Sequence, residues 1–175
     1  YDPTTNVFNF TGSLNTGRSG HVATLLPNGR VLVAGGTDNT SPLFGICTES
    51  AELYDPATGT FSNTGNMTVG RCSISWGDAP VLRNGKVLIL GGGGQTAELF
   101  DPSTGSFSPT GNLTVPRLGP SVTLLTDGRV LVAGGFSSNG TTNSTEIYDT
   151  TSGAFTAAAS MNEARQQQTA TLLPD

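Results

Sequence analysis

Charge is scarce in this sequence. Only 12% of its 175 residues are Asp, Glu, Lys or Arg, against about 25% in a typical globular domain. Eight Lys and Arg stand against thirteen Asp and Glu, a formal net charge of −5. A nucleic-acid binder needs clustered cations to neutralise phosphates, and eight scattered ones do not supply them. Long apolar runs are missing as well. They stop at four residues, as in Val31–Ala34 and Val87–Leu90, where a membrane span needs about 20. There is one His, one Trp and only two Cys, too few cysteines for a disulfide scaffold.

Turn formers are abundant instead: 24 Gly and 10 Pro, about a fifth of the chain. With the Thr and Asn content, that excludes a long helix or a coiled coil. Low charge, few lysines, much Thr, Asn and Gly, and an acidic balance lean towards an extracellular protein. Asn-X-Ser/Thr triplets begin at Asn9, Asn39, Asn66, Asn112, Asn139 and Asn143, and they matter only where the source glycosylates. The first residue is Tyr1 and no basic, apolar leader follows, so a signal peptide is expected to be removed or to lie outside this segment.

A repeat organises the chain. An aromatic-Asp pair recurs at Tyr1-Asp2, Tyr54-Asp55, Phe100-Asp101 and Tyr148-Asp149. Seven residues after each aromatic comes a Phe (Phe8, Phe61, Phe107, Phe155), and seventeen after it an Arg (Arg18, Arg71, Arg117, Arg165). Glu52, Glu98 and Glu146 each precede an aromatic by two, so Glu to Arg is 19 residues in all three complete copies. Apolar runs introduced by Gly-Arg or Gly-Lys end in the diglycines Gly35-Gly36, Gly91-Gly92 and Gly134-Gly135.

A period near 50 with many short strands predicts propeller blades. Each repeat parses as four strands. The first copy has an alternating strand at 20–26, an Asn28-Gly29 hairpin turn, an apolar strand at 30–34 covered on both faces, and strands at 51–54 and around Phe61. A four-stranded sheet of this size cannot bury both faces alone, so the copies are expected to stack as one domain. The expected fold class is all-β: a propeller segment of three four-stranded antiparallel blades near 19–65, 72–111 and 118–159. Residues 1–11 would be the outer strand of a preceding blade and 166–175 the inner strand of a following one.

The apolar run, diglycine, Tyr, later aromatic and Met-X-X-X-Arg pattern resemble the Kelch repeat, in its secreted galactose-oxidase-like branch. The last element reads Met67 to Arg71, Leu113 to Arg117, Met161 to Arg165 and Leu14 to Arg18. Phe stands in the usual Trp position in every copy. A Kelch ring has more blades than these. The resemblance therefore implies that further blades of the same chain close the ring, with a second copy as the alternative.

Several residues are candidates for function. The resemblance puts Arg18, Arg71, Arg117 and Arg165 at one mouth of the central channel, able to hold carboxylates or sugar hydroxyls. The competing structural reading pairs each Arg with the Glu 19 residues before it. The diglycines are read as structural, letting the second strand approach the aromatic rings of its own blade. Blade two carries three extra residues between Arg71 and Gly85, and there the lone Trp76 with Asp78 offers a ring face and a carboxylate suited to a sugar. The loops between strands two and three vary most in length, and specificity is expected there. The longest carries Cys47, on the face where Cys72 begins blade two, so a Cys47–Cys72 disulfide is expected, with two free thiols as the alternative.

A galactose-oxidase copper site would need Tyr two residues after such an Arg, and those positions are Gly20, Ser73, Gly119 and Gln167. With only His21 besides, no cofactor or metal is expected. The reading is a non-catalytic platform binding a protein or glycan through its 2–3 and 4–1 loops. The alternatives are a fragment of a galactose-oxidase-like copper enzyme or a Kelch-type sugar epimerase, with catalytic residues outside the segment. No nucleic acid or membrane partner is expected.

Overall fold

The computed structural model describes residues 1–38, 45–72, 79–92 and 94–174. Sixteen strands follow in chain order among them: β1 (Arg18–Ser19), β2 (Val22–Leu25), β3 (Val31–Ala34), β4 (Thr37–Asp38), β5 (Ile46–Cys47), β6 (Ala51–Asp55), β7 (Thr60–Asn63), β8 (Val87–Leu90), β9 (Ala97–Asp101), β10 (Ser106–Pro109), β11 (Ser121–Leu124), β12 (Val130–Ala133), β13 (Phe136–Ser137), β14 (Gly140–Thr141), β15 (Thr145–Asp149) and β16 (Ala154–Ala158). Every pairing is antiparallel.

Blade one is the sheet β2-β3-β6-β7 and blade three is β11-β12-β15-β16. Blade two has β8-β9-β10. Its inner position falls largely outside the described residues, but Val81 bridges Val87 and the Leu88 amide donates to the Pro80 carbonyl at 3.1 Å, alongside β8. Among the described residues no helix is long and apolar enough to cross a membrane.

The blades are kept dry by one another. Alternate residues of β8 point to opposite faces. Val87 and Ile89 enter a cluster with Val22, Leu32 and Met67 of the first repeat. Leu88 and Leu90 enter a second cluster with Val122, Val130 and Tyr148 of blade three. Each such buried side chain contributes about 1.5–3 kcal/mol relative to exposure, which explains why the second strands are apolar throughout. In every copy the strand-three aromatic tilts against the strand-four Phe, as Tyr54 on Phe61 and Phe100 on Phe107, with centroids 4.9 Å apart.

Neighbouring blades also share a polar seam. The amides of Gly12, Gly65 and Gly111 donate to the carbonyls of Gly59, Gly105 and Gly153 in the next blade's 3–4 turn, at 2.8, 2.8 and 2.9 Å. A β-carbon at Gly12 would sit 2.3 Å from the Gly59 oxygen. Only glycine permits that approach.

Two local expectations are corrected. The Asn28-Gly29 hairpin turn is not a two-residue one. Leu26 N–H donates to the Arg30 carbonyl (2.8 Å) and Gly29 N–H to the Leu26 carbonyl (2.9 Å), closing a three-residue loop. Gly29 alone is left-handed, at φ 83°. Asn28 Oδ1 accepts the Arg30 amide at 3.1 Å, an arrangement that holds a type I turn ahead of a left-handed glycine. At the diglycines, secondly, the nearest neighbour of Gly36 and of Gly135 is backbone rather than an aromatic ring. A β-carbon at Gly36 would lie 2.6 Å from the Ser19 carbonyl, and one at Gly135 2.9 Å from that of Leu118. The backbone entering the same blade crosses there.

At the two ends, residues 1–11 hold a single bridge, Asp2 to Val7, and 166–174 hold no strand. There Gln168 Nε2 donates to the Ala133 carbonyl of blade three at 2.7 Å.

Candidate functional site

Three buried arginines sit where the chain crosses from one blade into the next. Arg18 donates from Nη1 to the carbonyls of Gly35 and Ser50, both at 2.9 Å, and from Nη2 to Ser50 Oγ and Glu52 Oε1, both at 2.8 Å. Arg71 repeats this with Gly91, Thr96 and Glu98, and Arg117 with Gly134, Ser144 and Glu146. All six charged side chains are at most 2% exposed.

Such pairs survive burial when most of their other polar atoms are satisfied; here only Nε of Arg18 and of Arg71 has no partner among the described residues. The carboxylates are satisfied by the crossing backbone: Glu52 accepts the amides of Asn15 (2.7 Å) and Thr16 (3.1 Å), Glu98 that of Thr68 (2.8 Å), and Glu146 that of Thr114 (2.7 Å). Burial pushes the Glu52 carboxyl up, but the Asn15 amide, the Arg18 guanidinium and the Thr16 amide outweigh it and hold it below its ordinary value.

The pairing register differs from the expected one. No Arg bonds the Glu 19 residues before it. Each takes the Glu that follows, 34, 27 and 29 residues later. The cause is the path of the chain: the Arg ends the crossing from one blade and enters the next, so the strand three within reach is the new blade's. Sequence reasoning also missed the hydroxyl partner. Its signal was present, since Ser50, Thr96 and Ser144 each stand two residues before the Glu.

The four arginines are therefore not alike. Arg165 is exposed, its nearest acid being Glu163 at 3.2 Å, also exposed. Trp76 and Asp78 lie outside the described residues. Cys47 and Cys72 are joined by a disulfide with Cα atoms 4.8 Å apart, tying the 2–3 loop of blade one to the start of blade two. His21 precedes β2, and its Nδ1 has no partner among the described residues.

The loops at this end differ in build. In blade one β1, β4 and β5 form a small sheet of their own, and in blade three β13 and β14 form a hairpin. Beside that hairpin Leu118, Phe136, Gln166 and Gln167 line an open cleft of about 250 Å³. Phe136 is 44% exposed, and Gln167 is held at φ 57°. Among the described residues no three His, Cys, Asp or Glu cluster in a way that could hold a metal.

The Kelch motif matches residues 18–68 and 117–162, more than half the sequence and starting on two of the buried arginines. The chain belongs to the Kelch-repeat family. Among curated proteins, none matches it. Among solved structures, this Kelch chain is similar to a fungal one described as a novel alcohol oxidase with catalytic diversity among the AA5 family, in complex with copper. The TM-score is 0.59 at 20% identity, over 79% of this chain and 30% of that one. The likeness is one of fold, that of a Kelch propeller segment, and this chain spans less than a third of that structure's length.

Proposed function

We propose that this Kelch segment is a non-catalytic platform that binds a protein or a carbohydrate through its 2–3 and 4–1 loops, outside the cell. The observation that carries this reading is where the charge goes. The three buried arginines are spent on the frame, with each guanidinium bonded within its own blade. Among the described residues, the loops at this end present the β4–β5 pair, anchored by the disulfide, and the β13–β14 hairpin with exposed Phe136. Variable loops on a rigid scaffold are where binding residues concentrate. Composition, low in charge and lysine and rich in Thr, Asn and Gly, supports the compartment.

The test is a glycan-array screen of the full-length protein, repeated with Phe136→Ser. Binding that falls with that change supports the carbohydrate version, and a blank array removes it. The second reading is a segment of a galactose-oxidase-like copper enzyme, or of a Kelch-type epimerase, whose catalytic residues lie elsewhere. It is favoured by the fold of the copper-bound oxidase. Copper analysis and an alcohol-oxidase assay of the full-length protein test the first form, and sugar epimerisation followed by NMR tests the second.

A further inference from the structure

We propose that the end of the blades opposite these loops carries a second binding site, a cleft between blades one and two that takes a neutral, polyhydroxylated ring of pyranose size. The cleft is about 390 Å³ and open to solvent, within the roughly 300–1,000 Å³ of small-molecule sites. Pro27 and Asn28 line it from the first 1–2 turn, Asn84 from the second, and Asp101, Pro102 and Ser103 from the 3–4 turn of blade two.

The repeat supplies its own control. Pro27, Arg83 and Thr126 hold equivalent places, each just before the Asn or Asp of its turn. Between blades two and three the Arg83 side chain covers the matching ground. Its guanidinium donates to the Thr126 carbonyl, and its Cδ lies 3.1 Å from where a β-carbon on Gly128 would stand. Pro27 is too short to do the same, so the cleft between blades one and two stays open.

The lining chemistry selects the ligand class. Asn28 and Asn84 spend Oδ1 on the amides of Arg30 and Lys86, both at 3.1 Å. Their Nδ2 groups have no partner among the described residues, which leaves N–H donors for a ligand. Asp101 accepts Ser103 N–H at 2.9 Å and Ser103 Oγ–H at 2.6 Å on Oδ1, and meets Lys86 Nζ at 3.2 Å through Oδ2. Its charge is thus matched by Lys86, and neither an anion nor a cation gains net attraction. The site still offers amide N–H donors beside a carboxylate acceptor. Hydroxyls, which both donate and accept, answer to both kinds at once. The two proline rings provide apolar walls for the C–H faces of a sugar ring.

Isothermal titration of the full-length protein with glucose, galactose, mannose and N-acetylglucosamine tests this, with hydrogen exchange locating the site. At least one sugar is expected to bind and to slow exchange in the turns around Asn84 and Ser103. Pro27→Arg, which copies the neighbouring plug, is expected to weaken that binding tenfold or more. Asn84→Asp keeps the turn acceptor and removes the donor, and is expected to weaken it several-fold. If no sugar of the four binds, if protection falls elsewhere, or if both variants bind like the parent, the proposal is overturned. Failure here leaves the loop-end platform untouched, because Phe136→Ser reads that site separately.

Discussion

Glu146 Oε1 lies 3.0 Å from Nη2 of Arg117, which stands 29 residues earlier in the chain. The pair is buried, and it has counterparts in Arg18–Glu52 and Arg71–Glu98. Each pins the crossing between blades to the third strand of the blade being entered. An arginine with this many internal partners is a frame residue, and this sets the expectations below.

Removing one member of such a pair leaves an uncompensated buried charge, which costs about 3–5 kcal/mol. Arg71→Ala is therefore expected to lower unfolding free energy by that amount. Arg165→Ala, at an exposed pair, is expected to change it by less than about 1 kcal/mol. Denaturant unfolding of both variants checks this. Equal losses would mean that Arg165 is buried and bonded as the others are.

Acid should weaken the fold through Glu52 and Asp101. Glu52 is held below its ordinary 4.5 once folded. Its contribution is therefore complete above that pH and is lost as pH falls through the lower folded value. Asp101, held at about 2 by the Ser103 hydroxyl and amide and by Lys86, loses its share between 3.8 and about 2. Stability is expected to be flat near neutrality and to fall below about pH 4.5, with a shallower fall in Glu52→Gln. Chemical denaturation across a pH series measures it, and an unchanged slope in the variant would contradict it.

Much of this was legible in the residues. The recurring aromatic-Asp pair, the strand-four Phe and the Gly-Arg-led apolar runs located the strands, because each element is fixed by a requirement repeated in every blade. The Arg–Glu register was not legible, for a geometric reason. The true pair spans the 2–3 loop, whose length varies, so its separation runs 34, 27 and 29 residues. The constant 19-residue spacing belongs to a stretch that contains no insertion, and constancy therefore pointed to residues that do not touch. The turn geometry was missed because Asn-Gly fits both a two-residue loop and a type I turn closed by a left-handed glycine. The Leu26 bond to the Arg30 carbonyl and the single left-handed glycine separate them.

The disulfide closes a loop across a sequence separation of 25 residues. A cross-link over that length stabilises by about 3–4 kcal/mol, chiefly by restricting the unfolded chain. Reduction is expected to lower the unfolding midpoint accordingly. Intact mass should show alkylation of both cysteines only after reduction, and alkylation beforehand would mean two free thiols.

Phe100→Tyr is expected to be tolerated or stabilising. Tyr54 and Tyr148 meet the hydroxyls of Thr11 and Thr110 at 2.6 and 2.7 Å, whereas Thr64, the equivalent residue beside Phe100, donates to the Gly105 carbonyl at 3.0 Å. A tyrosine there supplies the missing partner, worth about 0.5–1.5 kcal/mol. A thermal melt reads the sign, and a clear loss of stability would show that the blade-two pocket differs from its neighbours.

The most direct test of the frame is a pair of double-mutant cycles on Glu146, one with Arg117 and one with Arg165, read by denaturant unfolding. A coupling of about 0.5–3 kcal/mol is expected with Arg117, as for residues in contact, and none with Arg165. Coupling to Arg165 and none to Arg117 would contradict the stitched-blade account at its root.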